Sequence, residues 1–148
     1  MDCAPIVIIT YSRIEHLKKT IASLKNNDLA IKSELYIFID GPKPGDEEKV
    51  SIVNEYSTKI RGFKKVHVVA REVNDRVENY FNGAEFVLQT YGKMIFLEDD
   101  NIVSPMFLRF MNAALVSYEN NYDIISISGY NVPAYFPVSY KYDCYKSK

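Results

Sequence analysis

Residues 93–100, with the sequence KMIFLEDD, place three adjacent carboxylates directly after a run of apolar side chains. The apolar run predicts a buried strand, and the charges mark the point at which the chain leaves the core. Neighbouring carboxylates repel one another, so the cluster favours either a bound cation or a solvated turn. From spacing alone, a metal site and a turn leading into the next helix are equally favoured here.

Apolar runs that resemble this one recur along the chain. Five of them begin near residues 6, 35, 66, 94 and 124, at intervals of about 30 residues, which is the length of one strand, one helix and two loops. Each run is nearly continuous in Val, Ile, Leu and Phe, which is typical of parallel strands buried on both faces. The sequence therefore predicts an α/β fold with a mostly parallel central sheet flanked by helices on both faces.

The segments between the strands have helical periodicity and recognisable ends. A capping-box pattern at Ser12 and Glu15 predicts the start of the first helix. Ser104 and Pro105 are expected to cap and begin the last one. The third helix, ending at Gly92, is expected to bury one apolar stripe: Val77, Phe81, Ala84, Leu88 and Tyr91.

The composition excludes several classes of protein. The 148 residues suit one domain, and 18 basic against 19 acidic side chains give no basic excess that would indicate nucleic-acid binding. Cys3 and Cys144 lie far apart without metal-ligand spacing, which favours a reducing compartment. The start of the chain lacks a signal-peptide pattern and no run is long enough to span a membrane. We therefore expect a cytoplasmic protein, with any membrane association supplied by parts of a longer chain.

The acidic run is the strongest candidate for a site. Side chains alternate along a strand, so Glu98 and Asp100 are expected to share one side while Asp99 points elsewhere. Two carboxylates on one side suit Mg²⁺ or Mn²⁺, which takes one or two protein oxygens together with substrate phosphates. The alternative is that Asp100 only forms the turn before the next helix.

Polar residues also follow the other predicted strands, and ligands of open α/β sheets bind at that edge. Asp40 precedes Gly-Pro and is more simply a turn former, although its carboxylate could accept a hydrogen bond from a nucleobase. Arg13 could bind phosphate or remain solvated, and Arg76 has the same two alternatives. Thr10 and Tyr11 could line a base pocket. No phosphate-binding glycine loop, Ser-His-Asp or Cys-His pattern is present in the sequence.

Together these residues resemble the GT-A-fold glycosyltransferases, in particular family 2-like enzymes and the N-acetylglucosaminyltransferase I group. The resemblance is carried by PIVIITYSR at 5–13, by FIDG at 38–41, and by the helix at 77–90 that leads into GKMIFLEDDNIVSP at 92–105. It extends from about Pro5 to Asn131. Each motif alone is weak, and the specificity comes from their order and spacing.

The resemblance implies a Rossmann-like nucleotide-binding half and transfer of a glycosyl group, with inversion, from a nucleotide-sugar to an acceptor hydroxyl. The donor is often a UDP-sugar, and Mn²⁺ or Mg²⁺ bridges its phosphates. By position in the motifs, Asp100 is the metal ligand, and Glu98 and Asp99 lie near ribose, sugar and metal-bound water. The resemblance also implies that Asp40 contacts the uracil edge and Arg13 the nucleotide. Thr10 and Tyr11 would line the base pocket. Arg76 is assigned to the site by its position alone.

The resemblance also implies how the chain is divided. Residues 1–131 are predicted to form the nucleotide-sugar-binding domain, and 132–148 to begin an acceptor-side region that continues beyond this sequence. The family's catalytic base lies further along, so the base remains unknown.

Two other functions compete with this interpretation. A nucleotidyltransferase of nucleotide-sugar synthesis would have a glycine-rich basic loop after the first strand, where this chain has Thr10 to Arg13. A non-catalytic α/β binding module would use the acidic run only as a turn before a helix.

Overall fold

The computed structural model describes residues 3–130, in which strands and helices alternate along the chain. A short 3₁₀ helix, Ala30–Lys32, precedes the second strand. The strands are β1 (Ile6–Thr10), β2 (Glu34–Ile39), β3 (Lys65–Ala70) and β4 (Ile95–Glu98), and the helices are α1 (Ile14–Lys25), α2 (Glu47–Thr58), α3 (Arg76–Tyr91) and α4 (Phe107–Ser117).

The described strands form one parallel sheet in the order β3-β2-β1-β4. In the centre of the sheet, Ile8 of β1 pairs with Ile37 of β2 on one side and with Leu97 of β4 on the other. The chain first adds strands on one side of β1 and then returns to its other side. The carboxyl ends of β1 and β4 therefore flank a topological switch point, which is where ligands bind in open α/β sheets. The predicted α/β fold is confirmed.

Both faces of the sheet are covered by helices. On one face, Ile8 and Ile37 pack in a large core together with residues of α1, α2 and α4. On the other, Phe38 packs with Val87 of α3. Burial on both sides explains why the central strands β1 and β2 are almost continuously apolar, whereas the edge strand β3 includes Lys65 and His67.

Helix α3 faces the sheet with different residues from those predicted. Val77 and Phe81 are 64% and 62% exposed, and of the predicted stripe only Ala84 is buried. The helix lies so close to the sheet that a Cβ on Gly83 would come within 2.9 Å of the Phe38 ring. Small residues let the helix approach, so they take the inner face and the larger apolar side chains point outward. The predicted stop is correct: Gly92 ends α3 with a left-handed φ of 71°.

Three other predicted elements differ from the structure. The residue before α1 is Arg13, without a side-chain cap, so the capping box at Ser12 does not form. Helix α4 begins at Phe107, because Pro105 and Met106 are used in a turn. The fifth apolar run forms no strand within residues 124–130, and Ile125 is 99% exposed there. A run that is not buried lacks the packing that makes a parallel strand favourable.

Within residues 3–130, no helix is both long and apolar enough to cross a membrane. The predicted acceptor-side region, 132–148, lies outside the described residues.

Candidate functional site

A cleft of about 430 Å³ opens at the carboxyl ends of β1, β2 and β4. It lies at the switch point of the sheet and extends to the start of α3. All eight residues predicted from the sequence line this cleft: Thr10, Tyr11, Arg13, Asp40, Arg76, Glu98, Asp99 and Asp100. Six further residues complete the lining: Ile9, Ser12, Lys43, Asn74, Asn79 and Tyr80.

Asp99 is the buried member of the acidic run. Its side chain is 3% exposed, and it forms an ion pair with the Arg13 guanidinium. The Thr10 hydroxyl donates to its Oδ2 at 2.9 Å, and the Thr20 hydroxyl donates to its backbone carbonyl at 2.8 Å. Asp99 therefore ties the end of β4 to β1 and to α1.

Helix α1 also holds the segment that follows the acidic run. The Ser23 hydroxyl accepts a hydrogen bond from the Val103 amide at 3.1 Å. Asn27 Oδ1 accepts one from the Leu108 amide at 2.9 Å, at the start of α4. Buried polar side chains in α1 and just after it thus fix the path from β4 to α4, because Ser23 satisfies an amide of the loop and Asn27 one in the first turn of α4.

Glu98 and Asp100 present their carboxylates to the cleft. Their side chains are 50% and 37% exposed, in contrast to Asp99. Glu98 lies 3.8 Å from the Arg76 guanidinium. Asn101 Oδ1 accepts a hydrogen bond from the Glu98 amide at 2.9 Å, which tightens the turn. The three acids differ in burial, but all of them line the cleft, and Asp99 and Asp100 lie in the turn after β4, where the alternation expected of a strand does not apply.

Arg13 joins two members of the acidic run. Its Nη2 contacts Asp99, and its Nη1 lies 3.0 Å from Asp100 Oδ2. The hydrogen bond that Arg13 donates to Asp99, with the charges of both carboxylates, raises the pKa of the guanidinium above its ordinary value. The cation offsets part of the repulsion among the acids and holds Asp100 in one position.

Asp40 fixes the loop between β3 and α3. Asp40 is only 4% exposed. Its Oδ1 accepts hydrogen bonds from the amides of Gly41 and Asp75, and its Oδ2 accepts one from the Asn74 side chain. Gly41 lets the two loops meet, since a Cβ there would lie 2.4 Å from the Val73 carbonyl carbon. Asp40 therefore shapes one wall of the cleft, and its Oδ2 retains capacity for one further hydrogen bond.

Tyr11 connects β1 to the loop before α2. Its hydroxyl donates to Asp46 at 3.0 Å and accepts from the Lys43 amide at 2.8 Å. Burial raises the pKa of the Tyr11 phenol, and the Asp46 carboxylate raises it further, while the Lys43 amide lowers it. The ring is thereby held at the mouth of the cleft.

A divalent metal fits the chemistry of the exposed acids. Within residues 3–130, no three His, Cys, Asp or Glu side chains gather closely enough to enclose an ion. Mg²⁺ or Mn²⁺ needs fewer protein ligands when substrate phosphates supply the rest. Asp100 and Glu98 offer two hard oxygen donors that solvent can reach, so the residues present suit a metal shared with a diphosphate.

The parallel sheet with a polar cleft at its switch point defines this chain as an open, Rossmann-like α/β protein, in which ligands bind at that edge of the sheet. The model of the glycosyl transferase family 2 matches residues 6–141, and the chain belongs to that family. The fold is that of the GT-A glycosyltransferases.

Among solved structures, the chain is similar to TarS of S. aureus, with a TM-score of 0.53 and 15% sequence identity. The match covers 78% of this chain and 20% of the TarS chain, so this chain spans about a fifth of the length of that protein. A search of curated proteins found no match.

The residues that sequence reasoning did not assign to the site come mostly from loops and from α3. Asn74 and Lys43 lie in strand-end segments that were expected near the cleft, so their position in the sequence was a usable signal. Asn79 and Tyr80 lie inside a predicted helix, and their side of α3 became apparent only from its packing.

Proposed function

We propose that this chain binds a nucleotide-diphosphate sugar, a UDP-sugar in particular, and contributes to transfer of its glycosyl group to an acceptor hydroxyl with inversion. Membership of the glycosyl transferase family 2 supports glycosyl transfer in general. The observation that carries the finer proposal is the pair of exposed carboxylates, Glu98 and Asp100, beside the Arg13 guanidinium at the switch point.

Asp100 is the residue that we propose as the metal ligand, with Glu98 next to it. When bound there, Mn²⁺ or Mg²⁺ would neutralise negative charge on the departing diphosphate. Arg13 orients Asp100 through their 3.0 Å contact. Since Asp99 is buried and each of its carboxylate oxygens is paired, with Arg13 or with Thr10, we propose that it acts indirectly, by positioning Arg13 and the loop.

The nucleoside end of the donor has a separate set of contacts in this proposal. Thr10 and Tyr11 lie at the end of β1, where they would line the base pocket. Asp40 Oδ2, with its remaining capacity as an acceptor, would receive a base N–H. Arg76 lies at the start of α3 with its side chain 84% exposed, so it is free to approach the phosphates.

The acidic motif Glu-Asp-Asp also supports a kinship with the N-acetylglucosaminyltransferase I group, which we keep as a proposal. Transfer requires a base that deprotonates the acceptor hydroxyl. We assign that role to no described residue. We also propose a reducing, cytoplasmic location, with which the absence of a disulfide at Cys3 within residues 3–130 agrees.

Titration calorimetry with UDP and Mn²⁺ tests the metal assignment. We expect the wild type to bind UDP more tightly with Mn²⁺ than without it, and Asp100→Ala to lose at least tenfold in affinity, because one of few protein ligands is removed. Asp123→Ala is the matched control, since this exposed aspartate lies outside the cleft. Equal affinity of wild type and Asp100→Ala would favour a non-catalytic binding module.

A further inference from the structure

Asn79 places a polar amide in the wall of the cleft without a hydrogen-bond partner for its nitrogen. The residue is 2% exposed, and within the described chain its Nδ2 has no acceptor. A buried donor without a partner destabilises a folded protein, and such groups are rare in native structures. An apolar side chain of similar size would fill the same space without this cost. The position therefore carries a donor for a reason other than packing.

The surroundings of Asn79 indicate which ligand group it would meet. Its backbone amide donates to the Asp75 carbonyl at 2.9 Å, and the Asp75 amide donates to Asp40 Oδ1 at 2.9 Å. Asn79 thus lies one helical turn after Asp75, whose amide Asp40 binds. The side chains of Asn79 and Asp40 line the same cleft. One wall of the cleft accordingly combines an acceptor with spare capacity, Asp40, and a donor without a partner, Asn79.

This combination is complementary to one edge of a uracil base. Uracil presents an N–H group at N3 with a carbonyl oxygen on each side. Cytosine has an unprotonated N3 at the same place, where a carboxylate would face a lone pair instead of a proton. An acceptor and a donor that line the same cleft can therefore bind uracil through two hydrogen bonds and disfavour cytosine, because specificity is largest when the wrong base leaves polar groups unpaired.

We propose that Asn79 is a specificity-determining residue for the uracil base of the donor. This inference rests on the proposed function. On binding, the Asn79 amide donates to O4 of the base, the carbonyl that cytosine replaces with an amino group, while Asp40 accepts the hydrogen bond from N3–H. The energetic cost of leaving Nδ2 unpaired in the free protein is recovered when the base is bound.

The test compares Asn79→Leu with wild type for UDP and CDP, by calorimetry in the presence of Mn²⁺. Leucine has a similar volume but no donor. We expect UDP affinity to fall about tenfold, the effect of one lost hydrogen bond, while CDP affinity stays the same. The melting temperature should stay equal or rise, because an unsatisfied buried donor has been removed. A residue with a merely structural role would instead lower the melting temperature and leave the ratio of UDP to CDP affinity unchanged.

Asn82→Leu is the matched control, since Asn82 is exposed on the same helix outside the cleft. It should leave both affinities unchanged. If leucine at position 79 prevents folding, Asn79→Ala removes the same donor without adding bulk, and Asn79→Ser, which keeps a donor, should retain more UDP affinity than Asn79→Ala.

The outcomes separate the inference from the proposed function. If wild type fails to bind UDP, the proposed function and the role of Asn79 are both overturned. If wild type binds UDP and Asn79→Leu binds it equally well, only the role of Asn79 is overturned. Equal losses for UDP and CDP would place the amide on the phosphates or ribose and would also overturn base recognition.

Discussion

Asp99 and Asp100 are neighbours in sequence, yet their carboxylates have different surroundings. Asp99 is buried and bonded to Arg13 and Thr10, whereas Asp100 is partly exposed at the cleft. A buried carboxylate that loses its charge leaves its partner cation uncompensated. An exposed carboxylate is solvated whether or not it keeps its charge. We therefore expect the two residues to contribute differently to stability and to binding.

Asp99→Asn should lower the free energy of unfolding by about 1.5–3 kcal/mol, the usual contribution of hydrogen bonds to charged groups. Asp100→Asn should change it by less than about 0.5 kcal/mol, as expected for an exposed side chain. Urea denaturation of both variants measures these differences. The same amide substitution is made one residue apart, so each variant is the control for the other. Equal losses of stability would contradict the structural role of Asp99.

At the residue scale, the sequence predicted which side chains meet because parallel strands bring their carboxyl ends to one edge. That rule alone is enough to place Asp40, Arg13 and the acidic run together. The partners of these groups could not be predicted. That Asp40 holds Asn74 and the Asp75 amide depends on how closely two loops approach, which strand periodicity does not specify.

Helix α3 shows the limit of periodicity at the scale of elements. The apolar stripe through Val77 and Phe81 satisfied the helical spacing rule, yet Gly83 and Val87 face the sheet. Spacing shows that a helix has an apolar stripe. It does not show whether the helix packs through that stripe of large side chains or through small residues that allow a closer approach to the sheet. Near the far end of the sheet, α3 also contributes Tyr91 to a polar cluster that no sequence pattern indicated.

This cluster surrounds Glu34 at the start of β2. His67 Nε2 lies 2.9 Å from Glu34 Oε2, and the Tyr91 hydroxyl donates to the same oxygen at 3.1 Å. The Tyr36 ring stacks on His67 with centroids 4.1 Å apart. The hydrogen bond from His67, followed by those from Tyr91 and Lys64, holds the pKa of the Glu34 carboxyl below its ordinary value. The neighbouring Tyr36 hydroxyl, burial and Glu34 strongly raise the pKa of the Tyr91 phenol.

The lowered pKa of Glu34 makes part of the stability dependent on pH. Because the folded state binds the Glu34 proton less readily than the unfolded state, this contribution is fully present above the usual glutamate pKa of about 4.3 and is lost as pH falls through the lowered value. Glu34→Gln should lower the free energy of unfolding by about 1 kcal/mol at pH 7. As pH falls, the stability of this variant should decrease less than that of the wild type. Urea denaturation between about pH 3 and pH 7 measures both effects.

Glu72→Gln is the control, since Glu72 is an exposed glutamate in the loop between β3 and α3. It should leave both the stability at neutral pH and its acid dependence as in wild type. If Glu34→Gln keeps the full acid dependence of the wild type, the cluster does not contribute to it.

At the scale of the whole molecule, the even spacing of apolar runs sufficed to predict an α/β fold. The interval of about 30 residues admits few other arrangements of one strand and one helix. The strand order β3-β2-β1-β4 could not be predicted from the sequence, because spacing along the chain does not determine which strands are neighbours in the sheet. The prediction that the fifth run forms a strand was wrong for a related reason, because an apolar run becomes a strand only where it can pair and be buried.

Hydrogen exchange tests how the cleft connects to the rest of the molecule. The central strands β1 and β2 pair on both sides, so their amides should exchange most slowly within the described residues. UDP with Mn²⁺ should slow exchange at 98–104 and 74–79, the two segments that contribute acidic and amide side chains to the lining of the cleft, and leave α2 unchanged. Asp100→Ala should abolish the added protection at 98–104. Added protection in α2 with none at the cleft walls would contradict a nucleotide site at the switch point of the sheet.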